Sequence, residues 1–163
     1  MPRARSPKVL PADPQEEASA TAVEAVDTGF LRTLVGYNTR RASLVITGVF
    51  MARMAAHDLK MVEFSILSLV AHNQGITSRQ LCVTLDVLPP NLVGLIAALE
   101  RRGLIERRPH PSDGRAMGVH LTPEGEVLTA QAERTAMQLE LDATARLTPT
   151  ERKTLIRLLQ KIY

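Results

Sequence analysis

The sequence contains very few aromatic residues. Tryptophan is absent, and aromatic residues make up 3% of the 163 positions. A hydrophobic core must therefore be built from leucine, valine, isoleucine, alanine and methionine. Such a composition favours packed helices over a β-sandwich, because strands are enriched in aromatic and β-branched residues. The length suits one compact domain, or one small domain with an added assembly element.

The sequence also lacks the patterns that mark several functional classes. No uncharged apolar stretch of about 18 residues is present, which predicts no membrane span, and the basic N-terminal segment has no apolar core typical of a secretory signal. Cys82 is the only cysteine, so an internal disulfide is excluded and a reducing cytoplasm is the simplest location. The histidines show no metal-ligand spacing, and no catalytic motif or phosphate-binding glycine loop is found. We therefore expect no enzymatic activity, metal or cofactor.

Positive charge is concentrated in one short stretch. The whole chain has a formal net charge of +3, and residues 101–115 alone contain five basic and two acidic residues. The basic ones are Arg101, Arg102, Arg107, Arg108 and Arg115. A local excess of guanidinium groups is typical of a surface that contacts nucleic-acid phosphates. Double-stranded DNA is therefore the leading candidate ligand.

Apolar periodicity predicts helices on both sides of this stretch. One long helix is predicted over residues 28–56, a second over 61–73 and a third from the capping-box sequence that begins at Thr77. A fourth helix over 91–102 has apolar residues at the i, i+3, i+4, i+7 spacing, and Gly103 is expected to end it in the left-handed conformation. Thr122 and Thr148 are each followed by proline, and each predicts the start of a further helix.

Residues 104–122, LIERRPHPSDGRAMGVHLT, predict two short strands joined by a tight basic loop. A helix followed by such a hairpin is typical of a winged helix-turn-helix. We predict a mainly α fold with a small β-hairpin wing at 105–121 and with N- and C-terminal dimerisation helices. The predicted divisions are a disordered tail at 1–26, an N-terminal dimerisation helix at 27–57, a DNA-binding lobe at 58–122 and C-terminal dimerisation helices at 123–163.

The flanking helices carry more apolar surface than one small lobe covers. We interpret this surplus as a homodimer interface, since DNA-binding proteins of this kind gain two half-sites by twofold pairing. A monomeric helical cap is the alternative interpretation.

The region 58–122 resembles the multiple antibiotic resistance regulator (MarR) family of bacterial transcription factors. The matching pieces are LKMVEFSILSLV, TSRQLCVTLDV, LVGLIAALERRGLIERR, and the D-x-R and L-T of the wing at Asp113, Arg115, Leu121 and Thr122. Together with the flanking helices, the resemblance covers about residues 28–163. It implies a homodimeric repressor or activator on a pseudo-palindromic operator, often released by a small aromatic or lipophilic effector. Gly114 departs from the family pattern, which has a second wing arginine there.

The wing supplies the first group of candidate DNA contacts. Arg115 is expected near the hairpin tip, where its guanidinium can enter a minor groove, and Asp113 is expected to support the wing. Arg107 and Arg108 are consecutive in a strand, so they point to opposite faces. One of them is expected to contact phosphate, while the other packs or pairs with Glu106 or Asp113.

The fourth helix supplies a second group, with few polar side chains outside its buried stripe. Asn91 is the candidate for hydrogen bonding to an adenine edge, and Val93 and Ala97 for contact with thymine methyl groups. Gly94 would allow close approach of the helix. The backbone amides of residues 91 and 92 have no side-chain cap, which predicts a phosphate clamp. Sequence preference is expected to depend on groove shape and on the wing.

Other residues have two open interpretations each. Ser78 and Arg79 at the start of the third helix are candidates for flanking phosphate contacts, and simple solvation is the equal alternative. Arg101 and Arg102 contact DNA or stabilise the helix dipole. Cys82 resembles the redox-active cysteines of some relatives, but it occupies an apolar helical position, and packing in the core is the favoured interpretation.

An effector pocket is predicted where the first, second and fifth helices meet the DNA-binding lobe. Its candidate lining residues are Tyr37, Arg41, Phe50 and Met54, although ordinary dimer packing explains the same residues. The small apolar residues of the fourth helix also leave an alternative function open. In that case the lobe would be a protein-interaction module that does not bind DNA directly.

Overall fold

The computed structural model describes residues 26–109 and 117–163. Its elements are α1 (Gly29–Arg32), α2 (Val35–Met54), a 3₁₀ turn (Ala55–His57), α3 (Met61–His72), β1 (Ile76–Thr77), α4 (Ser78–Leu85), α5 (Pro89–Arg101), β2 (Ile105–Pro109), β3 (Met117–Leu121), α6 (Pro123–Ala143) and α7 (Pro149–Leu159). The mainly α fold class with a small β-hairpin wing is confirmed. Contacts divide the chain into two compact units, one ending at Asn38 and one beginning at Thr39.

The predicted single helix over 28–56 is wrong, because it is interrupted between α1 and α2. The amides of Thr33 and Leu34 donate to carbonyls three residues back, at 3.1 and 3.0 Å. The Nδ2 group of Asn38 donates to the carbonyls of Arg32 and Leu34, at 2.8 and 2.7 Å. Side chains that hydrogen-bond to nearby backbone groups compete with the helical ladder. The residues of the predicted tail up to position 25 lie outside the described residues.

The helix-turn-helix is built from α4 and α5. Thr77 caps α4 through its Oγ1, which accepts from the amide of Gln80 at 3.3 Å, as predicted. Asp86 ends α4 in the left-handed conformation with a φ of 50°. Leu88 is extended, as expected before a proline, and Pro89 and Pro90 open α5. The two helices therefore meet at a bend of 115°.

The core lies beneath α5, where the predicted apolar stripe faces inward. Leu92, Ile96 and Leu99 are each exposed by at most 1%. They belong to one cluster with apolar residues of the neighbouring helices and strands: Phe50, Met54, Leu59, Ile66, Leu67, Val70, Ile76, Leu81, Leu104, Ile105, Val119, Ala132 and Leu139. Packing of these side chains fixes the orientation of α5. The opposite side of the helix is left facing outward.

The wing belongs to a three-stranded antiparallel sheet in the order β1-β3-β2. Strands β2 and β3 pair from Ile105↔Leu121 to Pro109↔Met117, as the predicted hairpin requires. Strand β1 was not predicted. Gly118 permits its close pairing, since a Cβ there would lie 2.8 Å from the carbonyl oxygen of Gly75.

Helix α6 begins against the base of the wing. Thr122 caps it through a 3.0 Å bond from the Gly125 amide, and the Thr122 hydroxyl also donates to the carbonyl of Gly103 at 2.6 Å. A Cβ on Gly125 would lie 1.9 Å from the carbonyl oxygen of Leu104. The contact therefore requires glycine, and it places the start of α6 directly on the segment that enters β2.

Further along α6, polar pairs connect the helix to α2, the 3₁₀ turn and α3. Glu133 accepts from the hydroxyl of Ser68 at 2.7 Å and lies 2.9 Å from Nε2 of His72. Two more pairs join Arg53 to Asp142 at 2.7 Å and His57 to Thr135 at 2.9 Å. Among the described residues, no single helix has both the length and the apolar content needed to cross a membrane.

Candidate nucleic-acid interface

The outward face of α5 is small and largely apolar. Val93 is 62% exposed, Asn91 and Gly94 are exposed, and Ala97 is half-buried. Nothing lies within 4 Å of the position that a Cβ on Gly94 would occupy. The four residues singled out on this helix therefore lie outside its buried stripe, where a ligand can reach them.

The predicted phosphate clamp at the start of α5 is wrong. The amides of Asn91 and Leu92 both donate to the carbonyl of Leu88, at 3.0 and 3.1 Å. Pro89 and Pro90 have no amide hydrogen. The first turn of the helix therefore offers no free backbone donor at these four positions, and the side chains carry any recognition there.

The wing strand β2 is connected to α5 by an ion pair. Nε of Arg107 lies 3.0 Å from Oε1 of Glu100, and the two side chains are 38% and 31% exposed. Because residues alternate along a strand, Arg107 shares a face of β2 with the buried Ile105. Glu106 and Asp113 are the partners that the sequence predicts for this pair of arginines. Glu100 was missed because it belongs to the preceding helix.

Arg108 lies on the opposite face of β2 and pairs with Glu106, as one of the predicted options had it. Its Nε is 3.0 Å from Oε1 of that carboxylate. The Arg108 side chain is 57% exposed. It therefore remains accessible to a ligand in spite of its partner. Exposed ion pairs of this kind contribute little to stability.

The two arginines at the end of α5 differ in their surroundings. The side chain of Arg102 is 30% exposed, and its guanidinium lies 3.8 Å from the buried carboxylate of Glu63 and 3.6 Å from the exposed carboxylate of Asp58. These contacts favour a structural role for Arg102. Arg101 is exposed, and its Nε donates to the carbonyl of Ala97 at 3.3 Å. Much of the charge excess counted along the sequence is therefore balanced by carboxylates from other elements.

The start of α4 presents the other candidate phosphate contacts. Ser78 is half-buried, while Arg79 is exposed. Both line an open groove between α4 and α5, together with Cys82. Cys82 is half-buried and packs against the core, which supports the structural interpretation of this cysteine. Asp113 and Arg115, the remaining wing candidates, lie outside the described residues.

The candidate effector residues occupy different environments. Phe50 is 5% exposed and stacks edge-on against Phe64 with ring centroids 5.7 Å apart, and Met54 is fully buried. Arg41 is exposed and Tyr37 is half-buried. A separate cavity of about 280 Å³ lies between α3, the wing strands and α6. No sequence pattern indicates this cavity, because its lining comes from four separate elements.

The chain is similar to known transcriptional regulators. The sequence profile of the MarR family matches residues 57–116. A transcriptional regulatory protein for the hcr operon of Thauera aromatica is 37% identical over 61% of this chain and 60% of its own length. The multiple antibiotic resistance protein MarR of Salmonella typhimurium is 34% identical over 64% of this chain and 74% of its own length.

The fold is also similar to that of solved structures. The transcriptional repressor CouR bound to a 23-mer DNA duplex matches with a TM-score of 0.79 and 34% identity, over 85% of this chain and 99% of that one. CouR bound to p-coumaroyl-CoA matches with a TM-score of 0.74 and 32% identity, over 85% of this chain and 97% of that one. The similarity therefore extends beyond the helix-turn-helix to the flanking helices.

Proposed function

The chain belongs to the MarR family of DNA-binding transcriptional regulators, and we propose that it is a bacterial homodimeric repressor acting in the cytoplasm on a pseudo-palindromic operator. The observation that carries the proposal is the exposed face of α5, held at a bend of 115° to α4 and followed directly by the wing. This is the arrangement in which a recognition helix enters the major groove. The wing then lies along the adjacent minor groove.

Each candidate residue has a role in this proposal. On α5, Asn91 hydrogen-bonds to a base edge, Val93 and Ala97 contact the groove floor, and Gly94 allows close approach. Ser78 and Arg79 at the start of α4 contact flanking phosphates. In the wing, Arg115 enters the minor groove with the support of Asp113, and Arg108 contacts phosphate. Arg107 holds the wing against α5 through Glu100.

Unpaired helical faces support a homodimer. Helix α7 buries none of its residues, and in α2 burial is limited to Phe50 and Met54 near its end. The apolar side chains exposed on α2, α6 and α7 include Leu44, Val45, Met51, Val127, Met137, Leu141, Leu155, Ile156 and Leu158. Exposed apolar surface of this extent is typical of an interface. The segments 27–57 and 123–163 are therefore proposed as the dimerisation elements around the lobe at 58–122.

We also propose a small aromatic or lipophilic effector that releases the DNA. The ligand of CouR, p-coumaroyl-CoA, has an aromatic acyl group, which supports an aromatic effector for a protein of the same fold. Tyr37 and Arg41 are the candidate residues whose side chains remain accessible. The burial of Phe50 and Met54 favours packing for those two, so an effector would reach them only after a local rearrangement.

Binding to duplex DNA under varied salt tests the function. We expect submicromolar affinity for a selected pseudo-palindromic duplex, falling by about a thousandfold between about 50 and 200 mM salt, since phosphate contacts release counterions. Arg115→Ala is expected to weaken binding roughly tenfold or more without changing the oligomeric state. Lys60→Ala removes a positive charge at an exposed position that is neither a candidate DNA contact nor part of a proposed dimerisation segment, and it should have no effect. Absence of salt-sensitive binding would favour the protein-interaction module instead.

A further inference from the structure

The outward face of α5 has an unusual composition for a helix that reads DNA, and this inference rests on the function proposed above. A recognition helix typically offers several hydrogen-bonding side chains to base edges. Between Pro89 and Ala97 only Asn91 has such a side chain. The amides that remain in the first turn donate to Leu88. Hydrogen bonding therefore supplies little of the sequence selection at this helix.

Apolar contact is what the face offers instead. Val93 is 62% exposed and lies outside the buried stripe of α5. Gly94, the next residue, has open space where a Cβ would be. Ala97 lies one turn further along, so a methyl group follows the isopropyl group on the same face. This surface is complementary to small apolar groups.

Charge limits the kind of partner that covers this face. Arg79 is exposed at the start of α4, and Arg101 is exposed at the end of α5. The apolar centre is thus flanked by cations from two helices. A major groove that contains thymine has the matching pattern, with C5-methyl groups on its floor and phosphates on both sides. An apolar protein partner would not require the flanking cations.

We propose that Val93 and Ala97 select operator DNA by contacting thymine C5-methyl groups in the major groove. Gly94 brings the helix close enough for the contact. The methyl group distinguishes thymine from the other three bases in that groove. Selection then depends on burial of methyl groups and not on hydrogen bonds. An operator of this protein should therefore carry thymines at fixed positions within each half-site.

Replacement of thymine by deoxyuridine tests the proposal, because it removes the methyl group and keeps the base-pairing edge. The full-length chain is used to select a duplex from a random library. The selected duplex is then prepared with thymine or with deoxyuridine throughout, and both affinities are measured by fluorescence anisotropy. Burial of one methyl group corresponds to about fourfold in affinity. We expect the deoxyuridine duplex to bind roughly 16-fold more weakly if one methyl group is buried in each half-site.

A Val93→Ala variant assigns the effect to the residue. Its affinities for the two duplexes should differ by much less than those of the parent, because the contacting methyl groups have been removed. Val83→Ala is the matched control, since Val83 is 77% exposed on α4. The ratio of its affinities for the thymine and deoxyuridine duplexes should equal that of the parent. The proposal is overturned if the parent binds both duplexes equally or if Val93→Ala keeps the full ratio. A parent that selects no duplex at all overturns the proposed function as well.

Discussion

Nε of Arg107 in the wing lies 3.0 Å from Oε1 of Glu100 in the recognition helix. The two residues belong to β2 and to the end of α5, which are joined through Gly103 at a φ of 68°. A turn of this kind fixes the path of the chain but not the tilt of the hairpin. The ion pair adds a second connection, so the wing and α5 are held in one orientation for the two grooves.

We expect that breaking this pair weakens DNA binding from either side. Glu100→Gln and Arg107→Ala should each lower the affinity roughly two- to fivefold, in line with about 0.5–1 kcal/mol for a partly exposed pair. The double variant should bind DNA with about the affinity of the more weakly binding single variant, because the same connection is lost in each case. Fluorescence anisotropy with one duplex measures the DNA affinity of the parent, the two single variants and the double variant. Tighter DNA binding by Glu100→Gln would instead indicate that Arg107 contacts a phosphate directly.

Gly94→Ala is expected to separate stability from binding. The added methyl group meets nothing within 4 Å in the free protein. Replacing a mid-helix glycine should therefore stabilise the fold by about 0.5–1 kcal/mol. DNA binding should nevertheless become weaker, because the methyl group keeps α5 away from the groove floor. Chemical denaturation measures the free energy of unfolding, and fluorescence anisotropy measures the affinity for DNA.

A second glycine gives the control for that experiment. Gly125→Ala places a Cβ 1.9 Å from the carbonyl oxygen of Leu104, so it should destabilise the protein. The same substitution thus has opposite effects on stability at the two positions. If Gly94→Ala left DNA affinity unchanged, close approach of α5 at this point would be disproved.

The homodimer depends on apolar faces that a single chain leaves uncovered. Leu158 in α7 is 48% exposed, and Leu158→Asp should shift the protein to a monomer in sedimentation equilibrium while its circular dichroism stays unchanged. Gln160→Asp introduces the same charge two residues later, at an exposed polar position whose side chain does not share a helix face with Leu158, and it should leave the dimer intact. A dimer that survives Leu158→Asp would exclude this face of α7 from the interface.

Acid is expected to loosen the start of α7. The Glu151 carboxylate accepts from the amide and from the hydroxyl of Thr148, both at 2.8 Å. These bonds lower the pKa of Glu151 below its ordinary value of 4.5. The capping contribution is therefore fully present above the ordinary value and is lost as the pH falls through the lowered one.

Carboxyl chemical shifts report this titration directly, and amide exchange in the first turn of α7 should accelerate over the same pH range. Thr148→Val removes the hydroxyl partner and should raise the pKa of Glu151 toward its ordinary value. A Glu151 that titrates at or above 4.5 in the parent would contradict the capping geometry.

Capping signals in the sequence predicted the starts of three helices correctly. Thr77, Thr122 and Thr148 each cap a helix through the hydroxyl group, as the capping sequences indicated. The buried stripe of α5 and the left-handed Gly103 were also predicted. These features depend on residues within about one turn of each other. They can therefore be predicted from the local sequence, without knowledge of the rest of the fold.

Features that depend on distant residues were missed. Strand β1 has two residues and exists only because Ile76 and Thr77 pair with β3. The partners of Arg102 and Arg107 were also missed, because the charges along the sequence indicate only a cluster with a net positive charge. In three dimensions, Arg102 contacts carboxylates about 40 residues earlier in the sequence, and Arg107 contacts one on the preceding helix. The separation of neighbours along the chain hides such pairs from a sequence pattern.

The root of the wing and the first turn of α6 have no free space between them, since a single added carbon at Gly125 would collide with the backbone of Leu104. Thr122 adds two hydrogen bonds across the same junction, from its amide to Leu104 and from its hydroxyl to Gly103. Rotation of α6 at this end must carry the hairpin with it. The junction therefore makes the orientation of the wing depend on that of the first turn of α6.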